Sequence, residues 1–270
     1  MKQQHWLKIV SILWLSLMAH LAYAETPEEK GLAIAKESDE RNKGFVDNEA
    51  TMVMILKDKR GNSSERQMRV KTLEGTGGEG DKSLMVFDTP KDQKGTALLT
   101  FQHDDKDDDQ WLYLPALKRV KKIASKNKSG PFMGSEFSFE DLSGQQIEKY
   151  DYKWIRDEKI KDDKGVEHDC FVLEAYPKDE NSGYTKVVNW VDKVHYRTYK
   201  AEFWDRKNSH LKTLTPSGFK QYEGKFWRSD EIEMVNLQTG KSTIMINSEL
   251  KFNAGLDAAD FNKNSLKRAR

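Results

Sequence analysis

From residue 50 onward, apolar and polar positions alternate with a period of two. In Ala50-Thr51-Met52-Val53-Met54-Ile55-Leu56, the side chains of Met52, Met54 and Leu56 share one face, and Arg66, Met68, Val70 and Thr72 repeat the pattern in the next segment. The same alternation marks residues 84–88, 97–102, 110–114, 150–155, 169–176, 184–191, 198–205, 211–222, 225–236 and 242–252. Regular short strands separated by polar turns predict a mainly β chain folded as a meandering antiparallel sheet. Before them, Thr26-Pro27-Glu28-Glu29 reads as a helix start, with Thr26 as N-cap, proline at the first helical position and Glu29 completing a capping box. Leu32, Ile34 and Ala35 give that helix a short apolar stripe, and Asn42-Lys43-Gly44 stops it, so one helix is predicted over 27–42.

The faces of the strands carry the first functional hint. Trp111 with Tyr113, Tyr152 with Trp154, Tyr184 with Trp190, and Tyr199 with Phe203 are same-face pairs of large side chains. A strongly curved sheet lined by such residues encloses an apolar hollow, whereas a flatter one buries them as ordinary core. Trp111, Tyr113, Tyr152, Trp154, Trp190 and Phe203 are the candidates for the wall of such a hollow.

Residues 1–24 hold Lys2 and Lys8, the apolar run Ile9 to Ala19 and the sequence Ala22-Tyr23-Ala24, the pattern of a secretory signal cleaved after Ala24. The mature chain is then a single domain, 25–270, exported to the periplasm. Its formal charge of +1 as synthesised is close to neutral and says little about partners; no nucleic-acid partner is expected. Cys170 is the only cysteine, so no disulfide can form within the chain and no acylated cysteine stands at the cleavage site.

Motifs that look like chemistry fail on context. Residues 75–80 match G-x-G-x-x-G, but Asp81-Lys82-Ser83 leads into a strand rather than a helix, so the stretch reads as a glycine-rich turn. The acid run 104–109 spaces carboxylates like a calcium loop, yet Gln110 stands where the turn glycine belongs and Ala116 where the bidentate glutamate should be. His103, His168, His195 and His210 show no paired ligand spacing. Cys170 shares a strand face with His168 but sits in an apolar segment without a third orienting group. There is no G-x-S-x-G. The expectation is no catalytic site, no metal and no cofactor.

One stretch remains. LPALKRVKKIASKNKSGPFMGSEFSFEDL opens on a basic ribbon (Lys118, Arg119, Lys121, Lys122) and continues into glycine, serine and large hydrophobes (Phe132, Met133, Gly134, Ser135, Phe137, Phe139). With the preceding Trp111, Tyr113, Leu114 and Pro115 of W-x-Y-L-P, and with F-M-G-S-x-F-S-x-E-D-L over residues 132–142, this region resembles the bacterial outer membrane lipoprotein-sorting proteins, relatives of the periplasmic lipoprotein carrier LolA often found beside RND-type exporters. A weaker likeness runs through Lys225, Trp227, Glu233-Met234, Thr243 and Phe252-Asn253 to 261–268.

The resemblance implies an unclosed antiparallel β half-barrel of the LolA/LolB kind, with helices across its mouth and an acyl chain or lipoprotein anchor in the hollow. It implies a periplasmic carrier for lipoprotein sorting or lipid transport toward the outer membrane, with transient membrane contact and an RND-type inner-membrane exporter as partner. The alternative is a non-transport accessory or scaffold protein of an envelope exporter with a filled core. Residues 132–139 are then either a mobile lip at the mouth, with Ser138 capping a short turn through Asp141, or a fixed plug. The ribbon either steers the mouth toward acidic surfaces or blocks pairing at a sheet edge.

Overall fold

A computed structural model describes residues 25–77 and 79–268. The segment 1–24, expected to be a secretory signal, lies outside those residues.

The helix α1 spans Pro27–Glu40 with the expected cap: Glu29 N–H donates to Thr26 Oγ1 at 3.1 Å, and Thr26 N–H donates to Glu29 Oε2 at 2.9 Å. Thirteen strands follow among the described residues. The first six are β1 (Asp47–Lys57), β2 (Ser63–Leu73), β3 (Lys82–Phe87), β4 (Ala97–Phe101), β5 (Asp109–Leu114) and β6 (Arg119–Ile123). The others are β7 (Tyr150–Lys161), β8 (Glu167–Pro177), β9 (Tyr184–Asp192), β10 (Thr198–Asp205), β11 (His210–Tyr222), β12 (Phe226–Asn236) and β13 (Ser242–Phe252). A short helix, α2, closes the description at Lys263–Arg268.

All thirteen strands join one sheet in the order β6-β5-β4-β3-β2-β1-β13-β12-β11-β10-β9-β8-β7. Every neighbour is antiparallel, and every connection between paired strands except β1 with β13 joins strands consecutive in sequence. The first and last strands therefore pair in the middle, with Met54 opposite Met245. The two edges belong to β6 and β7, which are consecutive but unpaired. The sheet is an unclosed half-barrel whose gap is spanned by residues 124–149.

Both faces of this sheet are partly covered. On the inner face, Met54 of β1, Phe87 of β3, Leu98 of β4, Leu112 of β5 and Met234 of β12 meet in one buried cluster, which is possible only if the sheet curls round. Farther along the same face, α1 lies on β7 to β9, placing Ile34 against Leu173 and Val191 and Ala35 against Tyr152 and Ala175. The outer face of β3 to β5 is covered by the C-terminal segment, through Phe261 and Leu266 on Leu99 and Trp111.

α1 approaches β7 so closely that a Cβ on Gly31 would stand 2.7 Å from the Trp154 backbone nitrogen and 2.8 Å from Lys153 Cα. Alanine at this position gains roughly 1 kcal/mol of helix propensity, but backbone cannot yield as a side-chain tip can, and overpacking costs about 1 to 3 kcal/mol. Gly31→Ala should therefore lower the melting temperature despite its better helix propensity, and a melt that rises would show that α1 sits more loosely than described.

Candidate functional site

The segment crossing the gap is built around a tight turn. Ser135 N–H donates to Phe132 O at 2.9 Å, and the two central residues, Met133 (φ 51°) and Gly134 (φ 77°), both lie at positive φ, the arrangement of a type I′ turn. Phe132 N–H then donates to Phe137 O at 2.7 Å, making a miniature hairpin. Its two phenylalanines face inward: Phe132 is 0% and Phe137 4% exposed, both in the inner cluster with Met54, Met68 and Phe87. Phe139 packs edge-on to Phe132 with ring centroids 5.5 Å apart. Residues 132–139 are a wedge standing inside the hollow. Met133 and Phe139 are half-buried, Gly134 is exposed and Ser135 is buried.

A wedge with a polar backbone buried among apolar side chains needs partners for its peptide groups. The surrounding strands supply them. Arg66 Nη1 donates to Met133 O at 2.6 Å, Glu136 N–H donates to Thr243 Oγ1 at 3.0 Å, and Gln110 Nε2 donates to Phe139 O at 2.9 Å. The centre of the arrangement is Asp141. Lys212 Nζ lies 2.6 Å from its Oδ2, Tyr184 Oη donates to its Oδ1 at 2.8 Å, and Ser138 N–H donates to Oδ2 at 2.6 Å. Asp141 N–H donates back to Ser138 Oγ at 3.3 Å, so the two residues are bonded reciprocally at the entry to the 3-10 turn Asp141–Ser143. Glu140, next to it, accepts from Gly183 N–H at 2.9 Å and Ser182 Oγ at 3.0 Å, and burial pushes its carboxyl above the usual range.

Beside the end of α1 the hollow is not filled. A cavity of about 990 Å³ remains, bounded by the end of α1, the 144–148 segment, the 195–198 turn and the ends of β1, β2, β11 and β12. That volume is at the upper end for small-molecule sites. Its apolar lining includes Phe45, Ala50, Met52, Val70, Ile147 and Leu250; Asp81, Arg197, Trp227 and Arg228 add polar groups. Glu74 shapes the rim: its carboxylate accepts from Gly44 N–H at 2.6 Å and Val46 N–H at 2.8 Å, holding Val46 at φ 63°. A β-branched residue in the left-handed region is an outlier needing such support, and here it turns the buried Phe45 toward the cavity.

The aromatic residues singled out by alternation lie elsewhere. Trp111 and Tyr113 are on the outer face of β5 beneath Phe261 and Leu266, and Trp190 is on the outer face of β9 with Cys170, Val172 and Tyr199. Tyr152 and Trp154 are on the inner face but lie under α1, where Lys30 Nζ is 3.5 Å from the Trp154 ring centroid. Phe203 is also inward, packed on Tyr184 with centroids 5.0 Å apart. None of these six lines the cavity. Of the basic ribbon, Lys118 takes a left-handed conformation (φ 49°) before β6, while Arg119, Lys121 and Lys122 are exposed on that edge strand. Lys122 pairs with Asp109 at 2.6 Å.

The rejected motifs have structural places. The glycine run joins β2 to β3, where Asp81 Oδ1 accepts from Gly75 N–H at 2.9 Å; Gly78 is outside the described residues. The acid run connects β4 to β5, and its Asp108 is bonded to Lys149 and accepts from His103 N–H at 3.1 Å. Cys170 is fully buried, and burial pushes its thiol up to about 12. Among the described residues no group of three or more His, Cys, Asp and Glu could hold a metal ion, and no helix is long and apolar enough to cross a membrane.

A family model described only as "Uncharacterized protein" matches residues 79–268. Among solved structures, the chain is similar to an outer membrane lipoprotein-sorting protein domain from Vibrio parahaemolyticus, at 56% identity over 89% of this chain and 100% of that one, with a TM-score of 0.85. A DUF1329 family protein from Desulfovibrio piger is 29% identical over 89% of this chain and 99% of that one, TM-score 0.82. A LolA superfamily protein from Nitrosomonas europaea shares the fold at 22% identity and TM-score 0.68, over 87% and 98% of the two chains. Among curated proteins, none matches.

Two variants test how the wedge is held. Lys212 and Asp141 are 4% and 5% exposed, and removing one partner of a buried pair costs about 3 to 5 kcal/mol. Lys212→Met should lose stability on that scale in urea denaturation, and a loss under about 1 kcal/mol, the level of a surface pair, would show that Asp141 is satisfied without it. Glu140 works in the opposite sense. Its folded pKa is raised, so its contribution is fully present below the unfolded value and is lost as pH rises through the folded one. The stability of Glu140→Gln relative to wild type should grow as pH rises from the acid range to neutrality; a flat difference would mean that the carboxylate is charged at no cost.

Proposed function

This chain belongs to the outer membrane lipoprotein-sorting protein family, and on that footing we propose that it is a periplasmic carrier that shelters an acyl chain, or the acylated end of a lipoprotein, in the cavity beside the end of α1. The observation that carries this reading is the cavity itself. A scaffold protein has no use for a cleft of about 990 Å³ inside its half-barrel. An amphiphile that fills it removes hydrocarbon from water, worth about 0.8 kcal/mol per methylene.

The lining suits a cargo that is to be released. Met52, Val70 and Leu250 are half-buried rather than packed, and methionine adapts its shape to irregular contents. The path in lies between the end of α1 and the 144–148 segment, both of which border the cavity. An RND-type inner-membrane exporter remains the proposed partner, and the exposed β6 cations offer a surface for an acidic partner or anionic headgroups; any such steering acts on association rate and is screened by salt. Nothing in the reading requires an acid, a base or a metal.

Delipidated protein titrated with a fluorescent fatty acid should show saturable binding at one site per chain, and native mass spectrometry of the purified protein should show copurified lipid. Val70→Trp, which projects into the cavity, should weaken the affinity about tenfold or more, roughly 1.4 kcal/mol, while Trp111→Phe on the outer face should leave it unchanged. Binding that is not saturable, or that survives Val70→Trp intact, would remove the carrier reading.

A further inference from the structure

The cavity holds two cations that make no ion pair among the described residues, Lys225 and Arg228, and Lys225 Nζ donates to Lys43 O at 2.6 Å. Arg228 of β12 lines it, and among the described residues no carboxylate lies within the 4.0 Å of an ion pair. The other two arginines on the wall are paired: Arg197 meets Asp192 at 2.9 Å and Arg41 meets Glu37 at 2.7 Å. Arg228 Nη1 donates to Asn42 Oδ1 at 2.8 Å and to Trp227 O at 2.9 Å. That accounts for one end of the guanidinium and leaves the Nε and Nη2 donors, which form the fork that grips an oxyanion, without a protein acceptor among the described residues.

The surroundings are apolar on one side. The guanidinium stands 5.7 Å from the ring centroids of Phe226 and Phe252 and 6.0 Å from that of Phe45, and Phe226 stacks on Phe252 at 5.3 Å. These rings cover part of the cation, and burial is the main cause holding its pKa below the ordinary arginine value, against the opposing effect of the Asp81 and Glu74 carboxylates. A desolvated, half-satisfied guanidinium attracts an anion far more strongly than one in open water. Of the neighbouring charges on the wall, Lys43 pairs with Asp39 at 2.7 Å, Glu79 with Lys82 at 2.8 Å, and Glu74 and Asp81 accept backbone N–H groups, while Asp104 and Glu148 line it without an ion pair among the described residues.

We infer that Arg228 is the headgroup site of the cavity, taking the anionic oxygens of a single-chain amphiphile, carboxylate or phosphate, whose hydrocarbon runs over Ala50, Met52, Val70 and Leu250. The inference rests on the carrier reading and adds the sign and position of the cargo's charge.

Three ligands of equal chain length separate the possibilities: laurate, lauroyl lysophosphatidylglycerol and the neutral monolaurin, each titrated calorimetrically into the delipidated mature chain. Wild type should bind at least one anionic ligand about tenfold tighter than monolaurin, and which one does so identifies the source of the oxyanion. Arg228→Met should bring the anionic ligands down to the affinity of monolaurin and leave monolaurin unchanged. Arg228→Gln, which removes the charge and keeps an amide able to reach Asn42, stands in if the methionine variant melts abnormally. Equal wild-type affinity for all three, or a preference that persists in a folded Arg228 variant, overturns the headgroup site while keeping the carrier. No binding of any ligand overturns the carrier itself.

Discussion

The ion pair of Lys212 and Asp141, with Tyr184 and Ser138 completing its hydrogen bonds, is the interaction on which the rest of the structure depends. A thirteen-stranded sheet that ends in two unpaired strands has to be held curled by something other than closure. Here that is the crossing segment, which leaves β6, enters the hollow, and is fastened to β11 and β9 by Asp141, to β2 by Arg66 and to β13 by Thr243. A purely apolar plug of similar volume would bury as much surface. It would not fix which way the wedge faces, whereas Asp141 has one position from which Lys212, Tyr184 and Ser138 can all be reached.

Once the wedge is fixed, the cavity follows by subtraction. Phe132 and Phe137 fill the half of the hollow that faces β1 to β6, and α1 fills the part that faces β7 to β9. Neither reaches the ends of β1, β2, β11 and β12, and that remaining space is the site. The empty volume is therefore bordered by elements of two kinds: strands locked in the sheet, and the end of α1 with the 144–148 segment, which lie outside it. On the proposed carrier reading, admission of a chain works on the second kind, because moving a central strand breaks two ladders at once.

The sequence shows the fold more plainly than the site. Alternation from Met52 onward, the capping box at Thr26 and the turn residues were enough for an antiparallel meander and one leading helix, because each is a local signal. F-M-G-S was legible as an unusual segment, and its geometry explains the residues: Gly134 accepts the positive φ of the turn, Ser135 bonds back to Phe132, and Phe132 and Phe137 anchor it. What alternation cannot say is which of two buried faces is the inside. Trp111 and Leu112 are adjacent and both buried; one lies under α2 and the other in the hollow, because the outer face of β3 to β5 is covered by the C-terminal segment, a long-range contact with no local trace. Arg228 was hidden for a related reason, since its neighbours Phe45, Asn42 and Phe252 come from both ends of the chain.

The composition of the cavity bears on how tightly a carrier should hold. If the wall were wholly apolar, burying a full acyl chain at about 0.8 kcal/mol per methylene would approach the affinity of a membrane for the same chain, and release would be slow. Here Asp81, Gln102, Asn48 and Ser229 share the lining with Met52 and Val70, so part of the chain gives up water only to meet polar groups, and the gain per methylene is reduced. Arg228 compensates at one point. On the proposed carrier reading, a charge contact gives the cargo an orientation and a defined end without adding much hydrophobic depth. Retention then has two sources: hydrocarbon supplies a modest, shape-tolerant hold, and the oxyanion contact adds to it most where water is excluded from the guanidinium.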